Sequence, residues 1–287
     1  MRKTRRPKCR PFDTLIVACC CIVLPMLFSA QPVRGDPDWT LTGILGYAAH
    51  RSYDYNTLKV SERAHIFRKG YGSYVLHCLG SGQDEAGTTF SYHLRGLGSA
   101  IDVEGKTYLL SAGHVFDIRE ALAMRGVSVS GSTISPPEYF FELQGRRFDL
   151  VRIDDGTLDL ALFVPRTGQP EFPTGRYCCG NSNDLTPGVP VLCWGMPLME
   201  NFELSTGIVS ALTAPRSLIE ASFPEANAED FFVTSMPTIF GCSGALVYAF
   251  RDGQPEIVGM LVAGYININR SVVYKINSIL RDAGIHR

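Results

Sequence analysis

From about Tyr71 onward the chain is a succession of short apolar runs, each ended by a turn signal, and helical spacing is scarce until its last residues. Runs of strand length cannot bury themselves singly, so such a chain must pair them into sheets that stack or close. Ser73–Leu79 is the first expected strand. Gly98–Val103 and Lys106–Ser111 are expected to form a hairpin about Glu104-Gly105, and Phe148–Ile153 and Leu158–Val164 a second about Asp154-Asp155-Gly156. After a stretch rich in proline, glycine and asparagine come Val189–Trp194, Leu204–Leu212, Phe231–Ser235, Gly244–Phe250, Glu256–Ile266 and Val272–Ile276. Ile276, Ile279, Leu280 and Ala283 then fall at helical spacing, the mark of a short amphipathic helix. The pattern predicts an all-β chain of two packed barrels. The first runs over about 71–170, the second over about 185–276, and a C-terminal helix over about 276–284.

The first thirty residues differ from the rest. Arg2, Lys3, Arg5, Arg6, Lys8 and Arg10 precede the apolar run Thr14–Phe28, and Phe28-Ser29-Ala30 offers a small residue for cleavage. This reads as an export signal over 1–30, with an uncleaved membrane anchor over 14–30 as the alternative. Either places the remainder outside the cytoplasm, in a periplasm or the medium. Residues 31–70 form a polar N-terminal extension, and the domain proper is expected over 71–287. Without its leader the chain carries a net charge of about −6, which argues against a nucleic-acid partner.

Outside the leader stand Cys78, Cys178, Cys179, Cys193 and Cys242, an odd number. Cys178 or Cys179 is placed to bridge to Cys193 in an oxidising compartment, and buried thiols are the equal alternative. No paired Cys-x-x-Cys and no His-x-x-x-His occurs, so no metal site and no cofactor is expected.

Three short segments carry chemistry. Ser111-Ala112-Gly113-His114 offers a base, Leu158-Asp159-Leu160-Ala161-Leu162 a carboxylate in apolar surroundings, and Gly241-Cys242-Ser243-Gly244 a nucleophile between glycines. A serine hydroxyl attacks a carbonyl only when an imidazole removes its proton, and that imidazole needs a carboxylate to fix its tautomer. In a regular strand Asp159 would project opposite to Leu158 and Leu160, and a carboxylate so placed must find a partner, His114 being the natural one. The amides of Gly241 and Ser243 are candidates to hold a developing oxyanion. His50, His65, His77, His93 and His286 lack comparable surroundings.

Read together, GLGSAIDVEGKTYLLSAGHVFD, TLDLALFV and TSMPTIFGCSGALVY resemble the histidine, aspartate and nucleophile segments of trypsin-like serine peptidases, and LSTGIVSAL is close to a strand of their bacterial HtrA-like branch. The resemblance covers about residues 71–287. It implies two six-stranded β-barrels of the chymotrypsin type and an endopeptidase acting on protein or peptide substrates through an acyl-enzyme. His114 would be the general base, Asp159 its orienting acid and Ser243 the nucleophile. It also places Pro237 at the floor of the primary specificity pocket and Val262, Ala263 and Gly264 along its wall, implying cleavage after Val, Leu or Ala. A PDZ-like peptide-docking module is not expected after the barrels. The sequence departs from the family pattern at Cys242, where Asp or Asn is usual, and at Ala245-Leu246. Cys242 is either a buried hydrophobe or a redox-sensitive neighbour of the nucleophile. The same departures motivate the alternative of an inactive homologue that binds peptides or proteins.

Overall fold

The computed structural model describes residues 72–285, apart from 125, 127–130, 155–157, 169–176, 224–225 and 266–268. The expected leader or anchor and the extension lie outside the described residues, as do His286 and the Asp155-Gly156 part of one expected turn. Among the described residues no helix is long and apolar enough to cross a membrane.

Seven strands make the first sheet: β1 (Ser73–Gln83), β2 (Thr89–Val103), β3 (Lys106–Ser111), β4 (Thr133–Ile134), β5 (Glu138–Leu143), β6 (Arg146–Arg152) and β7 (Ala161–Pro165). Six of them close in the order β1-β2-β3-β7-β6-β5, all antiparallel, with the short β4 added to β1. The second barrel is closed by β8 (Pro190–Gly195), β9 (Glu203–Ala211), β10 (Phe231–Thr234), β11 (Leu246–Arg251), β12 (Gln254–Tyr265) and β13 (Arg270–Lys275), in the order β10-β13-β12-β11-β8-β9. Among the described residues three short α-helices accompany them: α1 (Ile118–Ala123), α2 (Arg216–Ser222) and α3 (Ile276–Asp282). The architecture is the expected pair of six-stranded antiparallel barrels with a short closing helix.

The strands of the second barrel lie within two residues of the expected limits. The first barrel gains the short β4, which was not anticipated, and differs in three further places. β1 and β2 run on well past the expected ends, pairing without interruption from Ser73↔Ser99 to Gln83↔Thr89. Gly80 and Gly82 interrupt the apolar pattern of β1, yet the space beside them is filled by the Tyr92 and Phe90 rings from β2. β5, unanticipated behind Pro136-Pro137, pairs with both β1 and β6 and is needed to close the ring. β7 begins at Ala161 instead of Leu158, because the Leu160 N–H turns back to the Leu158 carbonyl at 2.7 Å.

Three apolar clusters hold this frame. Tyr74, Leu76, Leu109, Phe116, Phe141 and Phe163 pack in the first barrel. Val191, Val209, Phe232, Val247, Leu261 and Val273 pack in the second, joined there by Leu97 from β2. A third cluster lies between the barrels and takes Ile101, Leu110, Ala112, Leu160 and Leu162 from one side and Met260, Val262, Tyr274 and Ile279 from the other. Burying a side chain of this size is worth roughly 1.5–3 kcal/mol each, so the two barrels are held as one body by their shared apolar contact.

Candidate active site

Asp159 stands at the tip of the tight turn closed by the Leu160–Leu158 bond, just before β7. The expectation that a regular strand aims it is therefore corrected: a three-residue turn does so. Gly113 packs against this turn, where a Cβ would stand 3.0 Å from the Leu160 nitrogen and 3.1 Å from the Leu158 carbonyl oxygen. His114 follows in the single 3-10 turn Gly113–Phe116 that leaves β3. Its backbone N–H donates to Asp159 Oδ1 at 2.7 Å. Its ring Nδ1 lies 2.8 Å from Oδ1 and 2.9 Å from Oδ2.

The Asp159 side chain is only 5% exposed and that of His114 22%. A carboxylate so deeply buried must be compensated, and both of its oxygens face one imidazole. An ionised carboxylate only accepts hydrogen bonds, so Nδ1 carries the proton and Nε2 of the neutral ring is left as the basic nitrogen.

The nucleophile loop is seated by both barrels. The Gly244 N–H donates to the Leu261 carbonyl at 2.8 Å and the Leu261 N–H to the Ala245 carbonyl at 2.8 Å, which ties the loop to β12. From the other side the Ser99 hydroxyl donates to the Gly244 carbonyl at 3.3 Å, and the Ser111 hydroxyl donates to the Leu97 carbonyl at 2.7 Å. Gly241 has φ +94°, and a Cβ there would stand 2.9 Å from the Met199 nitrogen. Within the loop Cys242 donates to the Ile239 carbonyl and Ala245 to the Cys242 carbonyl. Among the described residues the amides of Gly241 and Ser243 enter none of these backbone bonds.

His114, Gly241 and Ser243 line one cleft of about 320 Å³, together with Arg95, Val115, Met124, Leu198 and Phe240. The base, the acid and the serine proposed from the sequence are thus gathered at the junction of the barrels. None of the four residues expected at the primary pocket lines this cleft. Pro237 is exposed, and Val262 is 2% exposed in the cluster between the barrels that also holds Ala112 and Leu160. Ala263 is partly buried against the same cluster. Gly264 faces Thr238, whose hydroxyl would lie 2.5 Å from a Cβ there. Thr238 in turn bonds Ser271, which donates to the Met236 carbonyl at 2.7 Å.

Sequence reasoning missed Leu97, Ser99 and Ser111, which seat the nucleophile loop. The available signal was two serines in otherwise apolar strands, both fully buried in the structure. Cys242 is 1% exposed and burial raises its thiol, so it is the buried hydrophobe of the two alternatives. Cys193 is likewise a buried thiol, and the bridge to Cys178 or Cys179 is not formed.

The model of the trypsin-like peptidase domain matches residues 96–260, more than half of the chain and all three segments. This chain belongs to the trypsin-like peptidase family. No protein of curated function matches it in sequence. Among solved structures, the HtrA-type protease AlgW with a decapeptide is similar at 18% identity and a TM-score of 0.53, over 77% of this chain and 66% of that one. Deg5 is similar at 19% identity and a TM-score of 0.50, over 79% and 95%. Rv3671c from M. tuberculosis H37Rv, in an inactive serine-to-alanine form, is similar at 14% identity and 0.50, over 81% and 95%. At these identities the likeness is one of fold. This trypsin-like chain spans slightly less than two thirds of the AlgW chains it matches, 66% and 64%.

Proposed function

We propose that this chain is an exported serine endopeptidase that hydrolyses peptide bonds through His114, Asp159 and Ser243. The observation that carries the reading is the buried Asp159 carboxylate bonded to His114 Nδ1 at 2.8 Å, beside a cleft that His114 and Ser243 share. In this mechanism His114 Nε2 takes the hydroxyl proton as Ser243 Oγ bonds to the substrate carbonyl carbon. The oxyanion is held by the amides of Gly241 and Ser243. The C–N bond then breaks, the leaving amine takes the proton from His114, and water activated by the same ring releases the acyl group.

The Thr238 side chain packed beside Gly264 supports a shallow primary pocket, and so a small apolar residue such as Ala or Val before the cleaved bond. Peptides are the substrate class, as the AlgW structure with a decapeptide suggests by likeness of fold. The basic and apolar leader supports export, with cleavage after Ala30 or retention as an anchor.

A fluorophosphonate probe tests the reading. It should label the chain, and Ser243→Ala should abolish the label, with His114→Ala reducing it severely. A folded chain that binds peptides and takes no label would transfer the assignment to an inert peptide-binding homologue.

A further inference from the structure

Arg95 lies on β2, three residues before Gly98 and opposite His77 on β1, and it lines the same cleft as His114 and Ser243. Its Nε is buried and has no hydrogen-bond partner among the described residues. A buried donor left without an acceptor costs free energy that a bound acceptor restores. Three carboxylates also line the cleft, and none of them supplies that acceptor. Asp117 caps α1 by accepting the Glu120 N–H at 3.0 Å, and Glu120 and Glu200 are exposed.

The cleft flanks His114, and neither Pro237 nor the Val262–Gly264 segment lines it. We propose that this cleft receives the part of the peptide that follows the cleaved bond, whose leaving amine takes the proton from His114, and that Arg95 is a specificity-determining residue for that part, donating from its guanidinium to an sp² oxygen of the bound peptide. The oxygen belongs either to the peptide backbone or to an Asp or Glu side chain. The orientation of the peptide rests on the proposed peptidase reading, and the contact itself is measured by binding, without turnover.

The experiment uses the Ser243→Ala chain and calorimetry. One acetylated peptide carries valine before the bond and alanine-glutamate-alanine after it, a second has glutamine in place of glutamate, and a third ends at the valine. Arg95→Met should raise the ratio of the dissociation constants, long peptide to short, about tenfold. A rise confined to the glutamate peptide identifies a carboxylate, and an equal rise for the glutamine peptide identifies the backbone. Arg95→Lys keeps the cation but not the Nε–H, and should raise the ratio several-fold. An unchanged ratio in both variants overturns the proposal, as does failure of the long peptides to bind. Fluorophosphonate labelling of the unmutated chain reports separately on the peptidase reading: label with an unchanged ratio defeats the role of Arg95 alone, and a changed ratio without label defeats only catalysis.

Discussion

The Leu97 carbonyl lies against the Cα of Gly244, so close that no Cβ could stand between them. One residue belongs to the first barrel and the other follows the proposed nucleophile, so this contact sets where Ser243 stands relative to His114. Gly244 also has φ +91°, and Ser111 Oγ would be 2.9 Å from an added Cβ. Gly244→Ala should therefore destabilise the fold by more than the roughly 1–3 kcal/mol of backbone strain alone, and should abolish fluorophosphonate labelling. Gly105→Ala is the comparison, since its φ of +77° is similar but its Cβ would meet nothing within 4 Å. Urea unfolding of the two variants should differ. Equal losses would mean that the barrel contact contributes nothing.

Asp159 holds both the ring and the backbone N–H of His114. Asp159→Asn keeps an oxygen for the backbone bond but presents an amide to the ring, favouring the wrong tautomer. Peptide hydrolysis should fall about ten-thousand-fold in kcat with little change in KM. A loss of less than about tenfold in steady-state kinetics would remove Asp159 from the mechanism.

Burial pushes the Cys78 thiol up to about 12 and also raises those of Cys193 and Cys242, whereas Cys178 is exposed. A thiolate is the reactive form, so a disulfide reagent at pH 8 should modify Cys178 rapidly in the folded chain. Cys78, Cys193 and Cys242 should react only on unfolding. Mass spectrometry after brief labelling checks this, and early modification of Cys242 would contradict its burial.

His77 stacks on Phe140 and bonds through Nδ1 to His93 Nε2 at 2.9 Å. Its pKa is lowered from 6.5, by burial first and then by His93, Arg95 and Arg147, with Glu142 opposing. The unfolded chain thus takes a proton at a pH where the folded chain does not. Stability from this group is complete above about 6.5 and declines as the pH falls from there through the folded value. The urea midpoint should drop between pH 7.5 and pH 5, and His77→Gln should show a smaller drop. Equal drops would exclude His77 as the source.

Local chemistry made much of this protein legible as text. Strand-length apolar runs with glycine-bearing turns dictate paired strands, and the second barrel follows the text within two residues because polar or turn residues bound each of its runs. The three chemical segments were visible because each places a reactive residue in a short, recognisable setting. Where the text failed, the deciding contact was remote. Gly80 and Gly82 look like breaks until Tyr92 and Phe90 from another strand cover them. Asp159 is aimed by a turn that Gly113, 46 residues earlier, leaves room for. Ser99 and Ser111, unremarkable in their apolar strands, become seats for the nucleophile loop. Pattern and propensity act over a few residues and are written in the sequence itself. Which side chains share a buried volume is fixed only when the rings close and press together, because that packing joins residues more than a hundred positions apart.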